Sequence, residues 1–289
     1  MQNMKKGVNV FVILVLILAG WAPSGLRDKG VYQVQDSLIL LSKIKALEKF
    51  SNLPSGELMI KVGESFLGTP YVGGTLDRDK DREQLVINLR ELDCTTYVEN
   101  CLAITETLKS KAPGFSEYLK QLERIRYRGG VLDGYASRLH YFCEWISDNA
   151  QKGYLKDVTK EAGGKREPIR LDYMSTHPKE YPQIERHPEL GTKIASIEKA
   201  INSRSWYYIP KERFRESEAF IHDGDIGAIT TRIKGMDVSH VGLMIRKNGR
   251  IHFMHASSVN KKVEIMDIPL FDYLARRKDA TGIMLARVN

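Results

Sequence analysis

The sequence has few cysteines and none of the short patterns that mark common zinc and serine sites. Only three cysteines occur among the 289 residues, and no two of them form a CxxC pair. The patterns HExxH and GxSxG are both absent, and no two histidines are four residues apart. These absences argue against a zinc ribbon, a zinc protease of the HExxH type and a GxSxG hydrolase.

Long apolar runs are also missing, except near the N-terminus. Lys5 and Lys6 precede an apolar run at 8–19, and small residues follow it. This order is typical of a secretory signal peptide. The run is shorter than the about 20 residues that span a membrane, and no cysteine follows it for a lipoprotein anchor. We predict a signal peptide at 1–24 and an exported protein in the bacterial periplasm, with an uncleaved anchor as the alternative.

The net charge gives little support for a nucleic-acid partner. The formal charge is +8, and removal of Lys5 and Lys6 with the signal peptide lowers it to about +6. A basic surface suits an anionic partner such as nucleic acid, a membrane surface or an acidic wall polymer. Because an exported protein rarely meets nucleic acid, we predict no nucleic-acid partner and no stable membrane insertion after signal cleavage.

An odd number of cysteines leaves at least one thiol unpaired. Cys94 and Cys101 are seven residues apart, which places them about 10 Å apart on one helix. A disulfide needs Cα atoms within about 7 Å, so these two cannot pair while the helix exists. Cys143 can pair with either one only if the fold brings it close.

The order of elements predicts an α+β fold with an antiparallel sheet. Apolar periodicity predicts helices first, with Ser55 and Asp93 as N-caps of the second and third. The helices are expected at 37–50, 55–67, 94 to before Pro113, 116–128 and 139–150. Glycines and prolines predict long loops across 159–215. Strands are expected at 225–230, 238–245, 251–256, 262–266 and 282–288. We divide the mature chain into a helical segment at 25–52 and a catalytic domain at 53–289, with an insertion at about 114–220.

A hairpin turn fixes the relative positions of the histidines. Asn248-Gly249 is a strong signal for a two-residue turn. With this turn, the numbers of paired residues sum to 497, so Gly242 faces His255. His240 and His255 then become diagonal neighbours on one face, and His252 falls on the other face. A turn longer by one residue would reverse this parity and favour His252.

This geometry is compatible with a cysteine nucleophile. A cysteine needs a base, and the base needs an orienting partner. Cys94 lies at a helix N-terminus, which lowers a thiol pKa; His240 can act as the base, and His255 can orient it. One alternative is a buried thiol with two histidines of no catalytic use. A zinc site made by Cys94, His240 and His255 is another.

These residues resemble the NlpC/p60 superfamily of cell-wall cysteine peptidases and amidases. The resemblance spans nearly all of 53–289 and is closest to the N-acetylmuramoyl-L-alanine amidase-like branch. It rests on the segments GTPYVGG at 68–74, LDCTTYVE at 92–99, RLHYF at 138–142, DVSHVG at 237–242 and HASS at 255–258. The resemblance implies a papain-like fold, in which the nucleophile helix packs on an antiparallel sheet.

The resemblance also implies roles for individual residues. Cys94 would be the nucleophile, His240 the base and His255 the third member, with no metal or cofactor. Tyr71 would line the site and help to stabilise the oxyanion, together with the Cys94 backbone N–H. The other candidates for substrate binding are Asp93, Arg138, Ser239 and the 175–177 loop.

One departure from the resemblance bears on specificity. Common NlpC/p60 endopeptidases carry Ser-Gly after the Asp-Cys pair, where they bind a free amine of the stem peptide, whereas this chain has Thr95-Thr96. The difference favours an amidase that cuts between N-acetylmuramic acid and L-alanine in peptidoglycan fragments. The alternatives are a γ-D-glutamyl-diamino acid endopeptidase and a wall-binding module without catalysis.

Overall fold

The computed structural model describes residues 30–167 and 169–289. The predicted signal peptide lies outside these residues. The described residues form ten α-helices and one antiparallel sheet. None of the helices in these ranges is both long and apolar enough to cross a membrane.

The ten α-helices of the described chain lie mostly in its first two thirds. They are α1 (Val34–Leu47), α2 (Ser55–Glu64), α3 (Cys94–Lys109), α4 (Phe115–Arg126), α5 (Phe142–Gln151), α6 (Tyr173–Thr176), α7 (Pro182–Arg186), α8 (Pro188–Asn202), α9 (Phe214–Ser217) and α10 (Leu270–Arg276). The five helices expected from periodicity are all present. Ser55 does not cap α2, because Pro54 occupies the N-cap position, and among the described residues no side chain of the N-cap bonds that end.

The sheet is assembled mainly from the C-terminal third. Its strands are β1 (Leu155–Asp157), β2 (Lys165–Glu167), β3 (Trp206–Pro210), β4 (Ile226–Thr231), β5 (Val238–Lys247), β6 (Arg250–Ser257), β7 (Lys262–Ile265) and β8 (Ala280–Val288). Their order is β2-β3-β8-β4-β5-β6-β7, and β1 pairs with β8 off this path. Every pairing between these named strands is antiparallel, which confirms the predicted α+β class.

Two apolar clusters cover the two faces of the sheet. On one face, Leu243 and Met254 lie against Gly63 of α2 and belong to the same cluster as Tyr97 and Val98 of α3. The opposite face carries Phe253 and packs against α10 in a second, smaller cluster. Helix α3, which begins with Cys94, is therefore buried on one side of the sheet, and α10 covers the other.

The segment predicted as long loops is the largest difference from expectation. The 159–215 stretch contains the 15-residue helix α8 and the strands β2 and β3. Pro182 and Pro188 stand at the first positions of α7 and α8. Proline lacks the N–H that the first turn of a helix leaves unused, so here it begins helices instead of breaking them.

Candidate active site

The N-terminus of α3 is closed by a reciprocal pair of hydrogen bonds. Asp93 is the N-cap, as predicted, and its Oδ1 accepts from the Thr96 N–H at 2.8 Å. In return, the Thr96 hydroxyl accepts from the Asp93 N–H at 2.9 Å. This capping box satisfies two backbone donors and makes Cys94 the first residue of the helix.

The half-buried Cys94 thiol meets backbone and hydroxyl donors, yet its pKa is high. Burial and then the Asp93 carboxylate raise the pKa of Cys94 to about 11. The Val241 N–H, and the hydroxyl and N–H of Thr95, oppose this rise. The prediction that the helix N-terminus lowers this pKa is therefore wrong for the net effect, because desolvation outweighs the local donors. At neutral pH the group rests as a thiol.

The thiol lies where β5 and β6 separate. Pairing between these strands ends at Leu243 and Met254. The Met244 N–H donates to the Asp225 backbone carbonyl next to β4. Because successive N–H groups of a strand point to opposite sides, the Val241 N–H, three residues earlier, points towards β6. Beyond the last pair, this N–H meets the Cys94 thiol instead of a strand. Cys94 thus contacts the residue that directly follows His240.

The two histidines lie together in the predicted register. The numbers of paired residues in β5 and β6 sum to 497, from Lys247–Arg250 to Leu243–Met254. Asn248 and Gly249 form the turn, with φ of 52° and 75°. His240 Nε2 and His255 Nδ1 are 2.5 Å apart and share one hydrogen bond. His252 points the other way and bonds the Met266 carbonyl at 2.8 Å.

Both imidazoles are neutral at physiological pH. Burial, then His255 and the Arg277 guanidinium, lower the pKa of His240 to about 3. Burial also lowers the pKa of His255 to about 4, against the opposing effect of Glu264. The rings stand on the α10 side of the sheet with Phe253, whereas α3 packs on the other side. No direct hydrogen bond joins Cys94 to His240 within the described ranges, although adjacent backbone connects them.

Tyr71 lies beside Cys94. Its N–H donates to the Lys261 carbonyl at 2.9 Å, and the next residue, Val72, bonds Leu92 at 3.0 Å. Burial, followed by Cys94 and Asp93, raises the pKa of Tyr71 to about 12. The phenol therefore remains protonated and can donate a hydrogen bond near Cys94.

Ser239 and Arg138 occupy different surroundings. Ser239 is the extra residue at an irregularity of β5, and it lines a cavity with His240 and His255. Arg138 is buried and ion-paired with Asp77 at 2.5 Å and Glu83 at 3.4 Å. The structure does not bring Arg138 into this cavity.

The 175–177 loop is also separate from the histidines. Ser175 and Thr176 end the short helix α6, and the Ser175 N–H donates to Glu198 of α8 at 3.1 Å. His177 is exposed and stacks on Tyr173. These residues form part of the surface of the helical segment that precedes β3.

Two further groups near the histidines were not found from the sequence. Glu264 lies opposite His255 on β7, and Arg277 follows α10. Both line the cavity of about 280 Å³ behind the histidine pair. The strand pairing of β6 with β7 could have indicated Glu264, whereas Arg277 reaches the site only through tertiary packing.

The Cys94 and histidine surroundings do not form a recognisable metal site. Within the described ranges, no three or more His, Cys, Asp and Glu side chains are grouped as metal ligands would be. The three cysteines are free, so Cys143 forms no disulfide.

Comparison with known proteins identifies the family. The model of the AmiA-like, N-acetylmuramoyl-L-alanine amidase-like family matches residues 61–283. The chain belongs to this family. The match includes Tyr71, Cys94, His240 and His255. No curated protein sequence matches the chain.

Similar solved structures support this family assignment. An N-acetylmuramoyl-L-alanine amidase from Bacteroides uniformis is 39% identical to this chain, with a TM-score of 0.76. The similarity covers 81% of this chain and 99% of that one. A protein from Bacteroides fragilis that is named as a candidate xylanase is 40% identical, with a TM-score of 0.75 and coverages of 78% and 99%. Protein LPG0564 from Legionella pneumophila shares the fold, with 21% identity and a TM-score of 0.64. The similarity covers 87% of this chain and 94% of that one.

Proposed function

We propose that this AmiA-like protein is an exported cysteine amidase that cuts between N-acetylmuramic acid and L-alanine in peptidoglycan fragments. The observation that carries the proposal is a helix-terminal thiol placed against the strand that bears a hydrogen-bonded histidine pair. The proposal includes a papain-like NlpC/p60 architecture, in which α3 carries the nucleophile. The family match and the amidase from Bacteroides uniformis support the reaction class.

The reaction begins with a proton transfer from Cys94 to His240. His240 uses Nε2 towards His255, so its Nδ1 is left to receive the thiol proton. Because both groups rest in their neutral forms, the proton moves as sulfur attacks the lactyl carbonyl carbon. The Cys94 N–H and the Tyr71 hydroxyl are the proposed donors to the oxyanion.

The tetrahedral adduct then collapses with loss of the amine. His240 returns its proton to the nitrogen of L-alanine, the C–N bond breaks, and the peptide leaves with a free amine. Water, deprotonated by His240, attacks the thioester. This releases the sugar with a lactyl carboxylate and restores the thiol, so atoms and protons balance over the cycle.

The residues after Cys94 favour the amidase over an endopeptidase. Thr96 is committed to the capping box, and Thr95 contacts the thiol. Neither position offers the Ser-Gly pair that binds a free amine in the endopeptidases. A glycosidase, as the name of the relative from Bacteroides fragilis would suggest, uses a pair of carboxyl groups, whereas the cluster here combines a thiol with imidazoles.

Digestion of defined muropeptides, followed by mass spectrometry, tests the proposal. We expect wild-type protein to release the sugar and the intact peptide. We expect Cys94→Ala to release neither, because the nucleophile is gone. Cys101→Ala is the matched control, since this buried thiol lies on the same helix and should leave cleavage unchanged.

Three outcomes would contradict the amidase. Cleavage within the peptide would indicate the endopeptidase, and cleavage between sugars would indicate a glycosidase. Binding of wall fragments without any cleavage would indicate a wall-binding module. Export is tested separately by determining the N-terminal residue of the secreted protein. We expect cleavage after residue 24, so that the secreted chain begins at Gly25.

A further inference from the structure

The second ring nitrogen of His255 is buried, and the part of the chain that the structure describes gives it no hydrogen-bond partner. His255 is 6% exposed, and its Nδ1 is occupied by His240. Its Nε2 has no hydrogen-bond partner among residues 30–167 and 169–289. A buried polar atom without a partner is costly, so this nitrogen is a place to look for an additional functional contact.

Glu264 is the charged side chain that faces this nitrogen. It pairs directly with His255 across β6 and β7, and its Oε1 lies 3.9 Å from His255 Nε2. The Asn260 side-chain amide donates to the same oxygen at 2.7 Å and holds the carboxylate on this side. The cavity of about 280 Å³ beside both residues leaves room for a small rotation of Glu264 to shorten the contact.

The role of His240 as base determines which nitrogen of His255 carries a proton. His240 must keep Nδ1 free to receive the thiol proton, so its own proton is on Nε2 and is donated to His255 Nδ1. His255 then accepts at Nδ1 and must carry its proton on Nε2. That N–H points towards the Glu264 carboxylate, which is a strong acceptor.

We propose that Glu264 is a positioning residue, which selects the Nε2–H tautomer of His255 and through it keeps His240 ready to accept the Cys94 proton. This inference rests on the proposed function for the proton transfer, whereas the contacts among His240, His255 and Glu264 are those of the structure itself. The chain of groups is Cys94, His240, His255 and Glu264, with Asn260 holding the last member.

The other charged groups around the pair act differently. Arg277 faces His240, but its guanidinium is bound by Asp279 at 2.7 and 2.9 Å and contacts the Tyr273 hydroxyl at 3.3 Å. Asp267 also lines the cavity. Because Glu264 raises the pKa of His255 while Arg277 lowers that of His240, the carboxylate favours the imidazolium that forms during proton transfer.

Glu264→Gln and Glu264→Ala test the proposal, with Glu185→Gln, at an exposed position, as the matched control. The first readout is the rate of Cys94 alkylation by iodoacetamide against pH, followed by peptide mass spectrometry. The second is the side-chain ¹⁵N spectrum of His255, assigned with His255→Gln. Melting curves identify any variant that fails to fold.

We expect the Nε2–H form of His255 in the wild type and a shift towards Nδ1–H in Glu264→Ala. Alkylation and cleavage should fall about 10- to 100-fold, by analogy with the loss seen when the partner that orients a metal-bound histidine is removed. The pH limb governed by the histidines should move to lower pH in both variants. Glu264→Gln should retain the wild-type melting behaviour more closely than Glu264→Ala.

The proposal is overturned if folded Glu264 variants keep the wild-type tautomer and the wild-type alkylation profile, like Glu185→Gln. The proposed function fails separately if the wild type cleaves no muropeptide. Alkylation that still depends on Glu264 in that case would support the positioning role without the amidase.

Discussion

Gly242 determines how closely the two histidine-bearing strands approach each other. A Cβ at this position would lie 2.7 Å from the Met254 carbonyl oxygen and 2.9 Å from the His255 Cβ. Both distances are too short for ordinary contact. The absence of a side chain therefore allows His255 to stand beside Gly242 and to reach His240.

We expect Gly242→Ala to destabilise the protein by about 1–3 kcal/mol, because the strands must separate to accept the methyl group. Muropeptide cleavage should fall as His255 moves. Gly114→Ala is the matched control, since its φ of 175° is open to alanine and no atom lies near its added Cβ. Urea denaturation and initial rates measure both effects, and equal behaviour of the two variants would contradict the prediction.

Individual residues differ in how far the sequence predicts them. The Asn248-Gly249 turn is local, so the histidine register follows from it and is confirmed. The pKa of Cys94 depends on what covers the thiol, which no local pattern records. The buried ion pairs of Arg138 likewise join residues 55 to 61 positions apart, and the sequence alone does not predict them.

At the scale of elements, the first turn of α3 assigns different tasks to two neighbouring threonines. Thr96 is buried in the capping box, whereas Thr95 is half-buried and contacts the Cys94 thiol. The helix end and the reactive group thus depend on separate hydroxyls. Substitution of each by valine, which has a similar shape, separates these effects.

We expect Thr96→Val to lower the free energy of unfolding by about 1 kcal/mol, because the capping bonds with Asp93 are lost. Thr95→Val should leave stability nearly unchanged but slow Cys94 alkylation, because a donor that lowers the thiol pKa is removed. Thermal unfolding and alkylation rates at pH 8 test the pair. A slower alkylation only in Thr96→Val would contradict this division of tasks.

Elements with strong local signals were predicted well. The alternating apolar strands β4 to β8 and the periodic helices α1 to α5 lie close to the expected ranges. The sequence does not predict α8, because proline usually interrupts a helix, whereas Pro182 and Pro188 stand at the first positions of α7 and α8. The short strands β1 to β3 form only through pairing with distant chain, β1 and β3 with β8 and β2 with β3.

At the scale of the whole molecule, neutral histidines make stability depend on pH. Burial and then Arg138 hold the pKa of His140 well below its usual 6.5, and His240 and His255 are lowered to about 3 and 4. In the unfolded chain these rings bind protons near pH 6.5. The unfolded state therefore binds more protons below that pH, and stability is lost as the pH falls.

We expect each such histidine to cost about 1 kcal/mol of stability between pH 7 and 5.5. His140→Asn should remove the contribution of one histidine. The urea denaturation midpoint of this variant should therefore fall less on acidification than that of the wild type. His222→Asn, at an exposed position, is the matched control and should follow the wild type. Parallel curves for wild type and His140→Asn would contradict the prediction.

The central position of β8 has a consequence for the order of assembly. This strand lies between β3 and β4, although both are encoded well before it. A nascent chain that has grown only to residue 279 contains two half-sheets with unpaired inner edges, which are prone to join other chains. Contacts between distant parts of a chain also form slowly. The junction between the two half-sheets can therefore form only late during biosynthesis, and a chaperone that shields the open edges would raise the yield of folded protein.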